Sequence, residues 1–131
     1  MHRDMRLRRS EDFATVHRRG RSTASALLVI RWLPNGLAVS RFGFSISKRV
    51  GKAVIRNRVK RRLREAVQSL APSPGSDVVV IARNAAAEAD YHELRACLRL
   101  LMGRARLLRD ATISGRESGK GDLSRGPTGD V

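Results

Sequence analysis

The side chains best equipped for chemistry in this sequence are cations, and they gather in one stretch, GFSISKRVGKAVIRNRVKRRLRE, from Gly43 to Glu65. Lys48, Arg49 and Lys52 stand at the approach to a helical pattern that begins near residue 52. A helix start directs unpaired backbone N–H groups outward, so this junction suits a phosphate. Gly51 lets the backbone turn there or approach a ligand closely, and Ser45 and Ser47 alternate with Phe44 and Ile46 in the manner of a strand. Within the helix Arg56, Lys60 and Arg64 recur every fourth residue, with Asn57 and Arg61 on the adjacent arc. The result is a cationic ridge beside an apolar stripe: the stripe fixes the helix to a core, and the ridge meets a partner. After Asp12 no carboxylate appears until Glu65, so intrahelical ion pairs do not absorb the charge. Neutralising about six phosphates makes binding fall by roughly a thousandfold between about 50 and 200 mM salt.

No residues are framed for catalysis by the protein itself. His2, His17 and His92 are scattered, and no carboxylate pair has acid–base spacing. Cys97 falls on an apolar helix, where a buried thiol is the default, and zinc would need clustered Cys and His. Protein side chains alone therefore predict no metal site.

The whole-chain balance agrees with the local one. In 131 residues, 27 Lys and Arg against 12 Asp and Glu give a formal charge of +15, which points to a polyanionic partner. The start, Met1 to Arg9, is basic without a following signal-peptide core, and the longest apolar run, Ala26 to Ile30, is too short to span a bilayer. One cysteine cannot make an internal disulfide. These features predict a cytoplasmic protein with no membrane partner.

The elements that position the cations follow from patterning. Ser10 is the expected N-cap of a helix over residues 11–19, with Glu11 and Asp12 in its first turn and Gly20 as its stop. Ser22 to Leu33 and Leu37 to Ile46 read as antiparallel strands about Pro34-Asn35-Gly36, with a short extra strand near Arg21 to Ala24. Ile55, Val59, Leu63, Ala66 and Leu70 set the stripe of the helix over 52–70, and Pro72 to Gly75 end it. Asp77 to Ala82 is a strand apolar on both faces. Asp90 and Glu93 form a capping box before the stripe Leu94, Leu98, Leu101, Ala105 and Leu108. One domain over 1–111 and a disordered Gly/Ser-rich basic tail over 112–131 complete the expected layout. The order suits an α+β arrangement of helices on one mixed sheet.

At the basic helix the chain resembles the bacterial ribonuclease P protein component. Arg56-Asn57-Arg58 followed by Lys60, Arg61 and Arg64 matches that family's signature. Further matches are LRRSEDF at Leu7 to Phe13, then Val16 and Gly20, Ser-Ile-Ser-Lys ahead of Gly51-Lys52-Ala53-Val54, and VVVIAR at Val78 to Arg83. The likeness covers roughly residues 7 to 109. It implies a single α-β sandwich, order αβββαβα, with three helices on a four-stranded mixed sheet. It also implies a left-handed βαβ crossover, as in ribosomal protein S5 domain 2-like folds, which general connection rules do not favour.

The resemblance further implies a division of labour. Lys48, Arg49, Lys52, Arg56, Asn57, Arg58, Arg61 and Arg62 would bind the catalytic ribonuclease P RNA. Phe13, His17, Arg31, Ser45, Ser47, Lys60 and Arg64 would bind the 5′ leader of precursor tRNA, with Phe13 stacking on a base. By pattern alone Phe13 is equally a core residue of an amphipathic helix, and Trp32 reads as packing. Relatives often carry aromatics where this chain has His17 and Arg31, which shifts the expected leader contacts toward charge and imidazole stacking. Leader removal would be chemistry of the RNA, with Mg2+ held mainly by RNA. The rival from another class is a ribosomal or other structural RNA-binding protein, which the Lys48 to Arg64 motif and LRRSEDF speak against. A DNA-binding module lacks a helix-turn-helix or finger pattern, and DNA is not an expected partner.

Overall fold

The computed structural model describes residues 5–109. Helix α1 (Ser10–Arg19) precedes β1 (Arg21–Ala24), β2 (Leu28–Pro34) and β3 (Arg41–Ile46). Helix α2 (Ala53–Ser69), β4 (Ser76–Ala82) and α3 (Tyr91–Arg104) follow, with short 3-10 turns at Lys48–Val50 and Asn84–Glu88. The fold is α+β, and the expected tail over 112–131 lies outside the described residues.

The sheet order is β1-β2-β4-β3. β4 pairs antiparallel with β2 and parallel with β3, so α2 is the crossover between two adjacent parallel strands. The Pro34-Asn35-Gly36 turn therefore does not close a hairpin, because β4 is inserted between the strands that flank it. Its position follows from composition: Val78, Val79 and Val80 are fully buried, and only a central strand covered on both faces removes all three from water. The extended run Ser22 to Leu33 breaks at Ser25, whose N–H bonds Leu28 O at 2.8 Å to turn β1 onto β2.

Alternation along β4 divides the core. Val78, Val80 and Ala82 meet Leu28, Ile30 and Phe42 beneath Val59 and Leu63 of α2 and Leu94, Leu98 and Leu101 of α3. Val79 faces the other way and packs with Leu7 and Val16, joined by half-buried Phe13, Leu33 and Ile81. The sheet is thus sandwiched, with α2 and α3 on one face and α1 on the other.

Two caps differ in an instructive way. In α3 the capping box forms as expected, with Asp90 Oδ1 accepting from Glu93 N at 2.8 Å and Glu93 Oε1 from Asp90 N at 2.9 Å. In α1 Arg9 is the N-cap, no side chain caps it, and Ser10 is already helical. The chain ahead of α1 is held instead by Leu7, which is buried and donates its N–H to Phe42 O at 2.9 Å.

Candidate nucleic-acid interface

The cations sit where β3 hands over to α2. Ser47 caps the 3-10 turn by accepting from Arg49 N at 3.2 Å, which ties its hydroxyl into the loop. Gly51 then takes φ 154°, a conformation L side chains rarely adopt. Lys52 is the N-cap of α2 and contributes no side-chain hydrogen bond, and the first turn holds no acid. Cations crowded against the positive end of a 17-residue helix disfavour one another and the dipole, and an anion at that end relieves both.

Along α2 the arginines divide into groups. At about 100° per residue, Arg56, Lys60 and Arg64 fall on one flank of the buried stripe and Arg58 and Arg62 on the other. Arg58 donates to Ala87 O at 3.3 Å and Arg62 to Ala89 O at 2.8 Å, so both brace the Asn84–Glu88 turn against α2. Arg56 Nε donates to Gly51 O at 3.1 Å and closes the loop before the helix. Asn57, Lys60 and Arg61 are exposed, as are Lys48, Arg49 and Lys52. Those six have no partner role in the fold comparable to Arg58 and Arg62, whose remaining N–H groups alone are left for a ligand.

The expected leader residues are split by the sheet. Phe13 and His17 stand one turn apart on α1, above the face of the sheet that carries Gly43, Ser45, Val79 and Ile81. The Phe13 ring lies directly over Gly43: a methyl group there would overlap Cζ and stand 2.7 Å from Cε1. Gly43 is what lets the ring approach the strand so closely. Lys60 and Arg64 belong to α2 on the opposite face, so a ligand meeting both sets must pass round the β3 edge. Arg31, placed by β2 beneath α1, donates to His17 O and to Gly20 O and clamps the C-terminal end of α1. Its guanidinium closes the helix rather than standing free, and its Nε is buried with no acceptor.

One polar cluster has no counterpart in the sequence reading. Arg41 makes a bidentate pair with Asp77, 2.8 Å from Nε and 2.6 Å from a terminal nitrogen, and reaches Asp12 on α1 at 3.9 Å. Asn35 donates to the same Asp77 carboxylate at 2.9 Å. The Asp77 hydrogen bond raises the Arg41 pKa above its ordinary value, against an opposing effect of burial. Its signal was a lone acid at the start of an otherwise apolar strand, which demands a partner when the strand is central.

Carboxylates so engaged are not hard-cation ligands. Among the described residues no three His, Cys, Asp or Glu side chains come together, so they offer no all-protein metal cage. Likewise, no helix among them is long and apolar enough to cross a membrane.

A small α+β domain with a cation-rich, uncapped helix start on one face of its sheet and a half-buried aromatic on the other defines a basic protein of the nucleic-acid-binding class. Residues 1–106 match the Ribonuclease P family model. The ribonuclease P protein component of Caldanaerobacter subterraneus subsp. tengcongensis is 41% identical over 99 residues, 74% of this chain and 85% of that protein. That of Roseiflexus castenholzii is 43% identical over 114 residues, 85% and 93% of the two chains. Among solved structures, the Staphylococcus aureus RNase P protein superposes with TM-score 0.73 at 29% identity, covering 80% of this chain and 98% of that one. The Thermotoga maritima protein gives 0.66 at 33% identity, covering 73% and 94%. The chain belongs to the ribonuclease P protein family and is an RNA-binding subunit of that tRNA-processing endoribonuclease.

Proposed function

We propose that the chain binds the catalytic ribonuclease P RNA through the start and crest of α2 and the 5′ leader of precursor tRNA through the cleft between α1 and the sheet. The observation that carries this reading is the start of α2, where unpaired N–H groups, no acidic residue and a ring of exposed cations coincide. Lys48, Arg49, Lys52, Asn57 and Arg61 are the direct RNA ligands in this reading. Arg56, Arg58 and Arg62 present the loop and turn that shape that surface and contribute their outward N–H groups. In the cleft Phe13 supplies a stacking face and Ser45 a hydrogen-bonding group beside it. His17 borders the same cleft, and Arg31 sets its width by holding α1 in place. Ser47 fixes the loop, and Lys60 and Arg64 receive leader phosphates that pass the β3 edge.

Hydrolysis of the phosphodiester belongs to the RNA, with Mg2+ held by RNA groups. The protein contributes charge neutralisation and alignment of the leader. The compartment that goes with this reading is the cytoplasm. The test is reconstitution with the ribonuclease P RNA of the same cell, assayed for 5′ cleavage of precursor tRNA. Added protein should accelerate cleavage most at low magnesium and leave precursor intact when the RNA is omitted. Cleavage by the protein alone, or no effect of protein on the RNA's reaction, would overturn it.

A further inference from the structure

The end of the sheet away from the start of α2 carries a second concentration of cations that the α2 motif does not explain. An open cavity of about 630 Å³ lies between the chain ahead of α1, the loop after β2 and the start of β3. Arg6, Arg8, Arg9 and Arg41 line it together with Leu37 and Val39, and Asp12 is its one acid. The segment is fixed: Arg6 makes a single parallel bridge to Phe42 at the free edge of β3, and Leu7 is buried beside it. Because side chains alternate along extended backbone, burying Leu7 turns Arg6 and Arg8 together to the outer side.

Charge bookkeeping identifies which cations are available. Arg41 is neutralised by Asp77 and leans on Asp12, and Arg9 meets Glu11 at 3.4 Å in a fully hydrated pair. Arg6 and Arg8 are exposed, and neither has an ion pair or side-chain hydrogen bond among the described residues. Leu37 and Val39 remain 47% and 37% exposed beside them, an apolar wall on which a ribose or base can rest. The six residues of β3 put this basin about 17 Å from the start of the α2 motif, too far for one phosphate to touch both.

We propose that this basin is a second phosphodiester-binding site, which grips an RNA backbone at the end of the sheet opposite the start of α2. The inference rests on the RNA-binding reading above. Two strands could supply the phosphate, the catalytic RNA or the leader of the substrate, and the same guanidinium chemistry recognises either.

The test uses the full chain carrying Arg6→Ala with Arg8→Ala, and a companion carrying Arg6→Lys with Arg8→Lys. One arm measures affinity for the ribonuclease P RNA across a salt series. The other measures affinity of the reconstituted holoenzyme for precursor tRNAs with short and long leaders. Losing two phosphate contacts should weaken binding about tenfold near physiological salt and make the log–log salt slope shallower by about 1.4, on the single-strand calibration. A loss in the first arm assigns the phosphate to the catalytic RNA, and a loss confined to long leaders assigns it to the substrate. The lysine variant, which keeps the charges, should retain most of the affinity, and urea midpoints should not move. Affinities within twofold of the parent in both arms, or a loss that tracks stability and is not rescued by lysine, would overturn the site. A Lys52→Ala, Arg61→Ala control separates the two claims. If it too leaves RNA binding unchanged, the RNA-binding reading fails; if it alone weakens binding, only the second site does.

Discussion

Gly43→Ala tests whether the Phe13 ring is seated on β3. The added methyl would overlap Cζ and lie 2.7 and 3.1 Å from the two ring ε carbons, where ordinary contacts start at 3.4 Å. Gly43 is buried in a strand paired to Val79, so its backbone cannot give way. The ring is only half-buried and can lift, which places the cost near the low end for overpacking, about 1–2 kcal/mol. Phe13→Ala alone should cost about 1–1.5 kcal/mol, since the ring is only half-buried. In the double variant the methyl occupies space the ring has left, so the steric cost disappears. The coupling energy should therefore reach about 1–2 kcal/mol, and any intrinsic effect of replacing glycine in a strand cancels from the cycle. Urea unfolding of the four proteins measures it. Gly43→Ala should also weaken binding of leader-bearing precursor by the holoenzyme while affinity for the RNA subunit holds. Additive destabilisation within about 0.5 kcal/mol would show that ring and strand do not meet, and the cleft geometry would fall with it.

Three further substitutions probe the frame around the cleft. Asp77→Ala strips a carboxylate that accepts from Arg41 and Asn35. It should cost about 2–3 kcal/mol, roughly 10 °C in melting temperature, because a guanidinium only 28% exposed loses its partner. The raised Arg41 pKa contributes stability that is fully present below arginine's ordinary value and lost only as pH rises through the higher folded one. The Asp77→Ala cost should accordingly show no change from titration of Arg41 between about pH 6 and 9. Ala71 holds φ 50°, so Ala71→Gly should stabilise by about 0.5–1 kcal/mol, read as a higher urea midpoint. Arg31→Ala should release the last carbonyls of α1, lowering hydrogen-exchange protection in that helix by about 1 kcal/mol while the protection of β4 stays put.

Local rules reached far into this fold, and long-range ones did not. The stripes of α2 and α3 and the capping box at Asp90 were legible because each depends on residues a turn apart. The centre of the sheet was half legible: Val78 to Ile81 announced a strand covered on both faces, but which strands flank it depends on closing loops that carry no periodic signal. Pro34-Asn35-Gly36 suggested a hairpin because a turn fixes direction without fixing adjacency. At Ser10 propensity chose the wrong residue, since buried Leu7 pinned the chain one step earlier and made Arg9 the cap.

Within the interface, the kind of ligand could be read from the sequence and the role of each arginine could not. A guanidinium carries five donors on a long stem and reaches a backbone carbonyl as readily as a phosphate. Arg31, Arg58 and Arg62 close helix and turn carbonyls, and Arg41 takes up Asp77 across 36 residues of sequence. None of those partners is visible in helical spacing. Lysine gives a clearer reading: Lys48, Lys52 and Lys60 are all exposed, and their side chains make no hydrogen bond or ion pair to another described residue. A compact, strongly hydrated ammonium gains less from an internal carbonyl, so Lys48, Lys52 and Lys60 stay free on the surface while the arginines are drawn into the fold.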